Sequence, residues 1–212
     1  MTVLRRVTES SKAAKEGRWA DRAKFMGYEI KGKTVGVIGL GNIGSRVGEI
    51  LKRGFDAELI AYDPYQTEEQ IREKGAEPVS LEELLRRSDI ISLNAFIDKD
   101  SLHLLGKKEF AMMKHGVYIV NTARGELMDL EALLEALDSG KVIGLGTDVV
   151  EGEPVDETHP FFKYENVVVS PHTSAYTYEC LEGMGDKCVS DVERVHSGLV
   201  PDGLVNVDIL NK

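Results

Sequence analysis

The sequence predicts an α/β fold built on a doubly wound, parallel sheet of about seven strands, with flanking helices at its N- and C-terminal ends. Short apolar runs rich in β-branched residues alternate with segments of helical periodicity along most of the chain. Strands of a parallel sheet are apolar throughout because helices cover both of its faces. A length of 212 residues, 42% of them hydrophobic, is sufficient to bury such a sheet.

The strands are predicted where apolar runs are bounded by turn residues. In chain order they cover 33–39, 58–62, 77–79, 89–93, 117–120, 141–149 and 166–169. The helices are predicted from apolar positions at helical spacing. They cover 3–15, 42–53, 68–74, a segment from 81, 107–113, a segment from 129 to 137, and 176–196. This alternation is typical of βαβ units, which form parallel sheets.

Capping residues support several of these helix boundaries. Ser80 directly precedes a helical segment and Glu83 follows three residues later, which predicts a capping box. Asp129 is predicted to cap the helix that runs to 137, and Gly140 is predicted to end that helix.

The composition argues against nucleic acid and membrane surfaces as partners. The formal net charge is -10, and an acidic chain repels phosphate backbones and anionic lipids. No apolar run reaches membrane-spanning length, and the N-terminus lacks the apolar core of a signal peptide. Cys180 and Cys188 form no disulfide framework, and no cluster of His, Cys, Asp and Glu has metal-ligand spacing. We therefore expect a cytoplasmic protein with reduced thiols and no metal.

A glycine motif follows the first predicted strand and opens the next helix. Gly39, Gly41 and Gly44 have the spacing that allows a tight turn, close approach of a pyrophosphate, and close packing of helix on strand. Asp63 ends the second strand, where a carboxylate can bind the adenosine 2′-hydroxyl and repels a 2′-phosphate. The alternative for Asp63 is a turn-forming residue before Pro64. The motif predicts a Rossmann-type fold that binds NAD rather than NADP.

Three further segments each follow a predicted strand, so they meet at the carboxyl edge of the sheet, where open α/β folds bind ligands. They are 120–129 (VNTARGELMD), 146–154 (GTDVVEGEP) and 166–175 (NVVVSPHTSA). With the glycine motif, and in this order and spacing, these segments resemble the D-isomer-specific 2-hydroxyacid dehydrogenase family. The resemblance extends from about residue 2 to the end of the chain.

The resemblance implies a catalytic set of Arg124, Glu153 and His172. It also implies that NAD is the cofactor. The residues expected to contact NAD, including the motif glycines, are Gly39, Gly41, Asn42, Ile43, Gly44, Asp63, Ala95, Phe96, Ser101, Thr122, Ala123, Arg124, Asp148 and His172. A small 2-hydroxy or 2-keto acid is the implied substrate, and a homodimer is the implied assembly.

The chemistry of the reaction supports these roles. Oxidation of a 2-hydroxy acid removes a hydride from C2, which NAD accepts, and a proton from the hydroxyl. His172 is suited to take that proton, since histidine titrates near neutral pH, and a carboxylate such as Glu153 favours the imidazolium and fixes the tautomer. Arg124 offers a planar fork that matches a substrate carboxylate. Asp148 is expected to accept a hydrogen bond from the nicotinamide carboxamide.

Other interpretations of these residues stay open. Glu151 lies two residues before Glu153, so Glu153 could be a solvated loop acid, and Arg124 could be a surface charge. His172 follows a proline and could be a structural turn residue. His159 precedes Pro160 and is interpreted as structural. The remaining histidines are interpreted as solvated or structural: His103, His115 and His196.

Two departures from the family pattern affect specificity. In 94–98 (NAFID) the family usually has histidine first, proline third and often threonine fifth, which affects the adenine-side contacts. Ala175 stands where lactate-type members tend to carry an aromatic residue. Lactate, phosphoglycerate and other D-2-hydroxy acids therefore all remain possible substrates.

The predicted organisation is a helix and linker (1–26), a Rossmann domain (27–175), and a C-terminal helix and tail (176–212). The resemblance implies an N-terminal substrate domain that this sequence lacks, and a tail (203–210) that returns toward it. We therefore expect a truncated chain that can bind NAD without turnover. An alternative function is an NAD(H)-sensing interaction module like this family's corepressors. A formate-type enzyme is disfavoured, because it carries an amide where this chain has Glu153.

Overall fold

A computed structural model describes residues 1–206, which form two compact units, 1–172 and 173–206. Positions 207–210 of the expected tail lie outside the described residues. Within the described range, no helix combines the length and the apolar character that a bilayer crossing requires.

The first unit contains a seven-stranded sheet in which every pairing is parallel. The strands are β1 (Thr34–Ile38), β2 (Glu58–Tyr62), β3 (Glu77–Pro78), β4 (Ile90–Leu93), β5 (Val117–Asn121), β6 (Val142–Thr147) and β7 (Val167–Val169). Their order across the sheet is β3-β2-β1-β4-β5-β6-β7. From β1, the chain adds β2 and then β3 on one side of the sheet. It then crosses to the other side of β1 to form β4, and β5, β6 and β7 follow outward, so the strand order reverses between β1 and β4. The predicted doubly wound fold is confirmed.

Six α-helices belong to the first unit and one belongs to the second, among the described residues. They are α1 (Val7–Lys15), α2 (Asn42–Phe55), α3 (Glu68–Glu73), α4 (Leu81–Arg87), α5 (Lys107–Met112), α6 (Leu130–Asp138) and, in the second unit, α7 (Tyr178–His196). Three short 3-10 segments supplement them: Trp19–Phe25, Gly125–Leu127 and Pro160–Lys163.

The apolar core lies on both faces of the sheet. Val35 and Val37 of β1 belong to one buried cluster, and Ile38 belongs to the other, as expected for alternating side chains along a strand. All three side chains are at most 1% exposed. Burial on both faces explains why the strands read as continuous apolar runs.

Most element boundaries agree with the predictions, but the first helix is shorter than expected. The sequence predicts helix from residue 3, whereas α1 begins at Val7 after a turn and a left-handed Arg6. Leu4 is 1% exposed, and Val3 lies directly over the α-carbon of Gly144 in β6. Burial of these two apolar side chains competes with regular helical geometry at this end of the chain.

Capping also differs in one respect from the prediction. The Ser80 hydroxyl accepts a hydrogen bond from the Glu83 N–H at 3.2 Å, so Ser80 caps α4. The reciprocal half of the capping box is wrong, because the Glu83 carboxylate instead accepts from Arg87 at 2.8 Å. Asp129 caps α6 through the Ala132 N–H at 2.8 Å, as predicted.

Candidate functional site

The glycine turn after β1 has the close contacts that its spacing predicts. A Cβ atom on Gly39 would lie 2.7 Å from the Ala95 backbone nitrogen, and Gly39 has φ +85°, a conformation that favours glycine. A Cβ on Gly44 would collide with the Gly39 carbonyl oxygen. A Cβ on Gly41, in contrast, would meet no atom within 4 Å. Two glycines therefore permit packing within the protein, whereas Gly41 borders open space.

The N-terminus of α2 faces the same turn. Asn42 and Ile43 are its first two residues, and both are exposed. The first N–H groups of a helix have no partner within the helix, and the helix dipole adds partial positive charge there. This helix end is therefore suited to bind phosphate oxygens.

Asp63 follows β2 and is fixed against the glycine turn. Its Oδ2 accepts hydrogen bonds from the Leu40 N–H at 2.8 Å and from Gln66 Nε2 at 2.6 Å. Its Oδ1 accepts from the Tyr65 N–H at 2.9 Å, the contact of a turn-forming Asp. Asp63 thus forms a turn, as the alternative interpretation expected, and it also lines the cavity described next.

A cavity of about 540 Å³ opens between the loops that follow β1, β2 and β4. Among the residues predicted to contact NAD, it is lined by Gly39, Gly41, Asp63, Ala95, Phe96 and Ser101. Asn94 also lines it, and the buried Asn94 Oδ1 has no hydrogen-bond partner among residues 1–206. The cavity lies where the strand order reverses, the usual ligand position in this type of fold.

Nine lining residues were not predicted as cofactor contacts: Ile38, Tyr62, Pro64, Tyr65, Gln66, Asn94, Asp98, Asp100 and Leu104. Gln66 Nε2 bonds both Asp63 and the Leu40 carbonyl oxygen, the latter at 2.8 Å. Tyr65 and Gln66 lie two and three residues after Asp63 in the chain, so their closeness to Asp63 was a usable signal. Asp98 lies on another loop, in the segment 94–98 whose departure from the family pattern was already related to the adenine-side contacts.

The loop after β5 carries Arg124 and is held by Asn121. The Asn121 Nδ2 donates to the Arg124 carbonyl oxygen at 2.8 Å, and its Oδ1 accepts from the Ala123 N–H at 3.0 Å. A Cβ on Gly125 would collide with the backbone of Val150, so this loop touches the loop after β6. Arg124 is exposed at the surface of the site, next to the equally exposed Thr122.

Glu153 and His172 form a hydrogen-bonded pair, through Glu153 Oε1 and His172 Nδ1. The other carboxylate oxygen, Glu153 Oε2, accepts from the Val150 N–H at 3.0 Å. The His172 N–H donates to the Asp148 carbonyl oxygen at 2.9 Å, and His172 has a left-handed φ of 54°. The backbone thus fixes both members of the pair, while half of the imidazole surface, 51%, stays exposed.

The electrostatics connect Arg124 to this pair. Burial raises the pKa of Glu153, but the hydrogen bonds from the Val150 N–H and from His172 lower it, and so do the charges of His172 and Arg124. The net result is a Glu153 pKa below its ordinary value. Glu153 is therefore a carboxylate at neutral pH, and Arg124 contributes positive charge to its surroundings.

The structure distinguishes Glu153 from its neighbour Glu151. Glu151 Oε1 lies 3.0 Å from His103 Nε2, whereas Glu153 contacts His172. His103 Nδ1 also lies 3.7 Å from the helix-capping Asp129, so His103 connects three loops, in agreement with the structural interpretation. His159 likewise accepts a backbone hydrogen bond at the start of Pro160–Lys163, as a structural residue would.

Asp148 is buried and is held by two neighbouring strands. Its Oδ1 accepts from Ser170 Oγ at 2.5 Å, and its N–H donates to the Asn121 carbonyl oxygen at 2.9 Å. Ser170 follows β7 and was not predicted as a site residue.

Beside the pair of Glu153 and His172, a second cavity of about 480 Å³ has mostly apolar walls, which include Val150, Pro154, Val155, Phe162 and Val169.

The family model that matches residues 1–174 is described as "D-isomer specific 2-hydroxyacid dehydrogenase, NAD binding domain". The chain belongs to this family. The match confirms the predicted fold class and cofactor, NAD. The roles of the individual residues stay predictions, because no comparison tests them.

Curated and structural relatives agree with the family match. A glyoxylate reductase from Thermococcus litoralis is 37% identical over 216 residues, which cover 99% of this chain and 65% of that protein. A D-3-phosphoglycerate dehydrogenase from Archaeoglobus fulgidus is 38% identical over 207 residues, 98% of this chain and 39% of that protein. The structure of Aquifex aeolicus D-lactate dehydrogenase with NAD and lactic acid has a TM-score of 0.83 and 32% identity, over 93% of this chain and 63% of that one. The chain spans less than two thirds of the length of these relatives.

Proposed function

We propose that the protein containing this chain is an NAD-dependent oxidoreductase that interconverts a D-2-hydroxy acid and its 2-keto acid. The observation that carries the proposal is the hydrogen-bonded pair of Glu153 and His172 within range of the Arg124 charge, at the carboxyl edge of the sheet. An ionised carboxylate, an imidazole and a guanidinium are the groups that this reaction needs beside its cofactor.

The pair supplies acid–base chemistry. Bound NAD supplies the hydride acceptor for C2 of the hydroxy acid. With Nδ1 engaged by Glu153, His172 takes the hydroxyl proton at Nε2, and the Glu153 carboxylate stabilises the resulting imidazolium. In the reverse direction, His172 returns that proton to the carbonyl oxygen.

Arg124 and the strand-end loops position the reactants. The exposed guanidinium of Arg124 can form two parallel hydrogen bonds with a substrate carboxylate. The N-terminus of α2 and Gly41 would hold the pyrophosphate, and Asp63 the adenosine ribose. Asp148 would accept from the nicotinamide carboxamide. The apolar cavity beside His172 provides room for a substrate side chain.

The proposal includes a cytoplasmic location and a homodimer. Both are supported by the family resemblance, and the net charge of -10 agrees with a protein that avoids nucleic acid and anionic membranes. The substrates tested first are glyoxylate, D-lactate and D-glycerate, because the relatives are named for reactions of this class.

The test is steady-state turnover with these substrates in the protein that contains the chain, with Glu153→Gln and His172→Asn variants. We expect losses in kcat of about 10²- to 10⁴-fold, the usual contribution of a positioned acid–base group. The matched control is Glu151→Gln, the same change two residues away on an acid that contacts His103 instead. Equal losses in both glutamate variants, or NADH binding without turnover of any of the three acids, would contradict the proposal. The second result would favour an NAD(H)-sensing module.

A further inference from the structure

Two aromatic side chains from different loops meet at the rim of the first cavity. Tyr65 follows β2 and Phe96 follows β4, and their rings stack with centroids 5.3 Å apart and planes inclined by 29°. Both line the cavity, yet they are 65% and 60% exposed. The loops after β2 and β4, the two strands next to β1, are thus in direct contact at the mouth of the cavity.

A carboxylate fixes this contact. The Tyr65 hydroxyl donates to Asp98 Oδ2 at 2.8 Å. Asp98 Oδ1 accepts from the Ser101 N–H at 2.8 Å, from Ser101 Oγ at 2.9 Å and from the Asp100 N–H at 2.9 Å. Four donors therefore hold Asp98 in place. These hydrogen bonds lower the pKa of Asp98, the one from Tyr65 having the largest effect, although burial raises it.

The cavity wall is strongly anionic. Asp63, Asp98 and Asp100 all line it, and the lining residues of the described chain include no lysine or arginine. The hydrogen bond to Asp98, burial, and the charges of all three carboxylates raise the pKa of the Tyr65 hydroxyl. A nearby cation, Lys74, donates to the Leu40 carbonyl oxygen at 2.9 Å and also bonds Gln66.

We propose that Asp98 is a second determinant of cofactor choice, which repels a 2′-phosphate on the adenosine ribose from the loop opposite Asp63. Asp63 lies on the loop after β2 and Asp98 on the loop after β4, so carboxylates from two loops line the same cavity. The inference rests on the NAD binding assigned above.

The magnitude follows from Coulomb's law. A phosphate that carries nearly two negative charges meets one additional carboxylate near the surface of the protein. In a largely aqueous environment at a separation of several ångströms, the repulsion amounts to about fivefold to tenfold in affinity. Salt screens such a repulsion, since the Debye length falls to about 3 Å at 1 M ionic strength. NADH, which lacks the 2′-phosphate, does not experience it.

The experiment is calorimetric titration of the 212-residue chain with NADH and with NADPH, at low and high ionic strength. Asp98→Asn removes the charge and keeps an acceptor for Tyr65. Tyr65→Phe removes the hydrogen bond to Asp98 and keeps the charge. The charge-matched control is Asp56→Asn, at the C-terminal end of α2, outside the cavity, where a left-handed φ of 54° suits asparagine.

We expect Asp98→Asn to tighten NADPH binding about fivefold to tenfold and to leave NADH within about twofold, which also shows that the variant folds. Added salt should lower the ratio of NADH affinity to NADPH affinity, and it should do so more in the unmodified chain than in Asp98→Asn. Asp56→Asn and Tyr65→Phe should leave the preference unchanged.

Three results would overturn the inference: an unchanged NADPH affinity in Asp98→Asn, an equal gain in Asp56→Asn, or an equal gain in Tyr65→Phe. An equal gain in Asp56→Asn would mean that the net charge of the chain weakens NADPH binding at long range. An equal gain in Tyr65→Phe would mean that the position of the loop, rather than the charge of Asp98, determines the NADPH affinity. Failure of the unmodified chain to bind NADH is a different outcome, because it would contradict the NAD binding on which the inference rests.

Discussion

Two roles can be compared for Arg124: its side chain can bind the substrate carboxylate, or it can bind the cofactor. Its guanidinium is exposed, its charge reaches Glu153, and its backbone is fixed by Asn121. An anchor for a substrate carboxylate contributes to turnover without holding NADH. We therefore expect Arg124→Ala to lower kcat/KM by about 10²-fold or more, because a charge-assisted, bidentate contact is lost. NADH affinity should change by about twofold at most.

Turnover measurements and calorimetric titration of the same variant separate these roles. Arg124→Lys is the matched variant, since it keeps the charge and loses the planar fork, and it should recover only part of the rate. A collapse of NADH binding in Arg124→Ala would make Arg124 a cofactor residue instead.

At the scale of residues, the sequence predicts those whose role follows from local spacing. Gly39 and Gly44 have contacts that only glycine permits, and Asp63 lies beside the glycine turn. The contact of Asp98 with Tyr65 was not predicted, because it joins residues 33 positions apart. Such a contact depends on two loops approaching each other, which no local pattern records.

Single elements are tied together at the edge of the sheet opposite the site. Asp89 precedes β4, and its Oδ2 accepts from the N–H of Thr34, the first residue of β1, at 2.9 Å. Its Oδ1 accepts from Lys114 at 2.8 Å, just before β5. Burial raises the pKa of Asp89, but the bond from Lys114 and the Thr34 N–H lower it below its ordinary value.

We expect Asp89→Asn to reduce the free energy of unfolding by about 1–2 kcal/mol at neutral pH, because both bonds lose a charged acceptor. The folded pKa lies below the unfolded value of about 4, so this stabilisation is present above that value and is lost as the pH falls through the folded pKa. Urea unfolding at pH 7 and below pH 4 measures the difference. A penalty that persists in acid, or a changed NADH affinity, would contradict this explanation.

Element boundaries show a similar division between local and non-local causes. The strand predicted over 141–149 ends at Thr147. Thr147 pairs with Val169, the last residue of β7, and its hydroxyl donates to the Val149 carbonyl oxygen at 2.5 Å, which turns the chain. The apolar pattern continues to Val150, because these residues are buried without being paired in the sheet. For the residues after Thr147, hydrophobicity therefore predicts correctly that valine side chains are buried, but it predicts incorrectly that the backbone pairs in the sheet.

At the scale of the whole molecule, alternating strands and helices predict the parallel sheet, since helices must cover both faces. The pattern does not determine which strands are neighbours. The reversal of order between β1 and β4 brings the loops with Asp63 and Asp98 to one cavity. The sequence could place Asp63 there through the glycine motif and could relate 94–98 to the adenine side, whereas the contact between Asp98 and Tyr65 became visible only with the fold.

Packing between layers supplies the last prediction. A Cβ on Gly36 in the central strand β1 would collide with Ser88 Oγ and would lie 2.6 Å from Leu84 Cδ2, at the end of α4. A Cβ on Gly54, in α2, would meet nothing within 4 Å. Gly36→Ala must therefore move the side chains of Ser88 and Leu84 and disturb the packing of α4 on β1, and we expect a loss of about 1–3 kcal/mol in the free energy of unfolding. Gly54→Ala should gain up to about 1 kcal/mol from helix propensity.

The two substitutions are chemically identical, so chemical denaturation followed by circular dichroism compares packing with propensity directly. NADH affinity adds a second readout, since Gly36 lies only three residues before the glycine turn at Gly39. A displaced α4 should weaken NADH binding in Gly36→Ala but not in Gly54→Ala. Equal stability of the two variants would mean that α4 moves away from β1 without cost, and that the close packing of this layer does not support the cofactor turn.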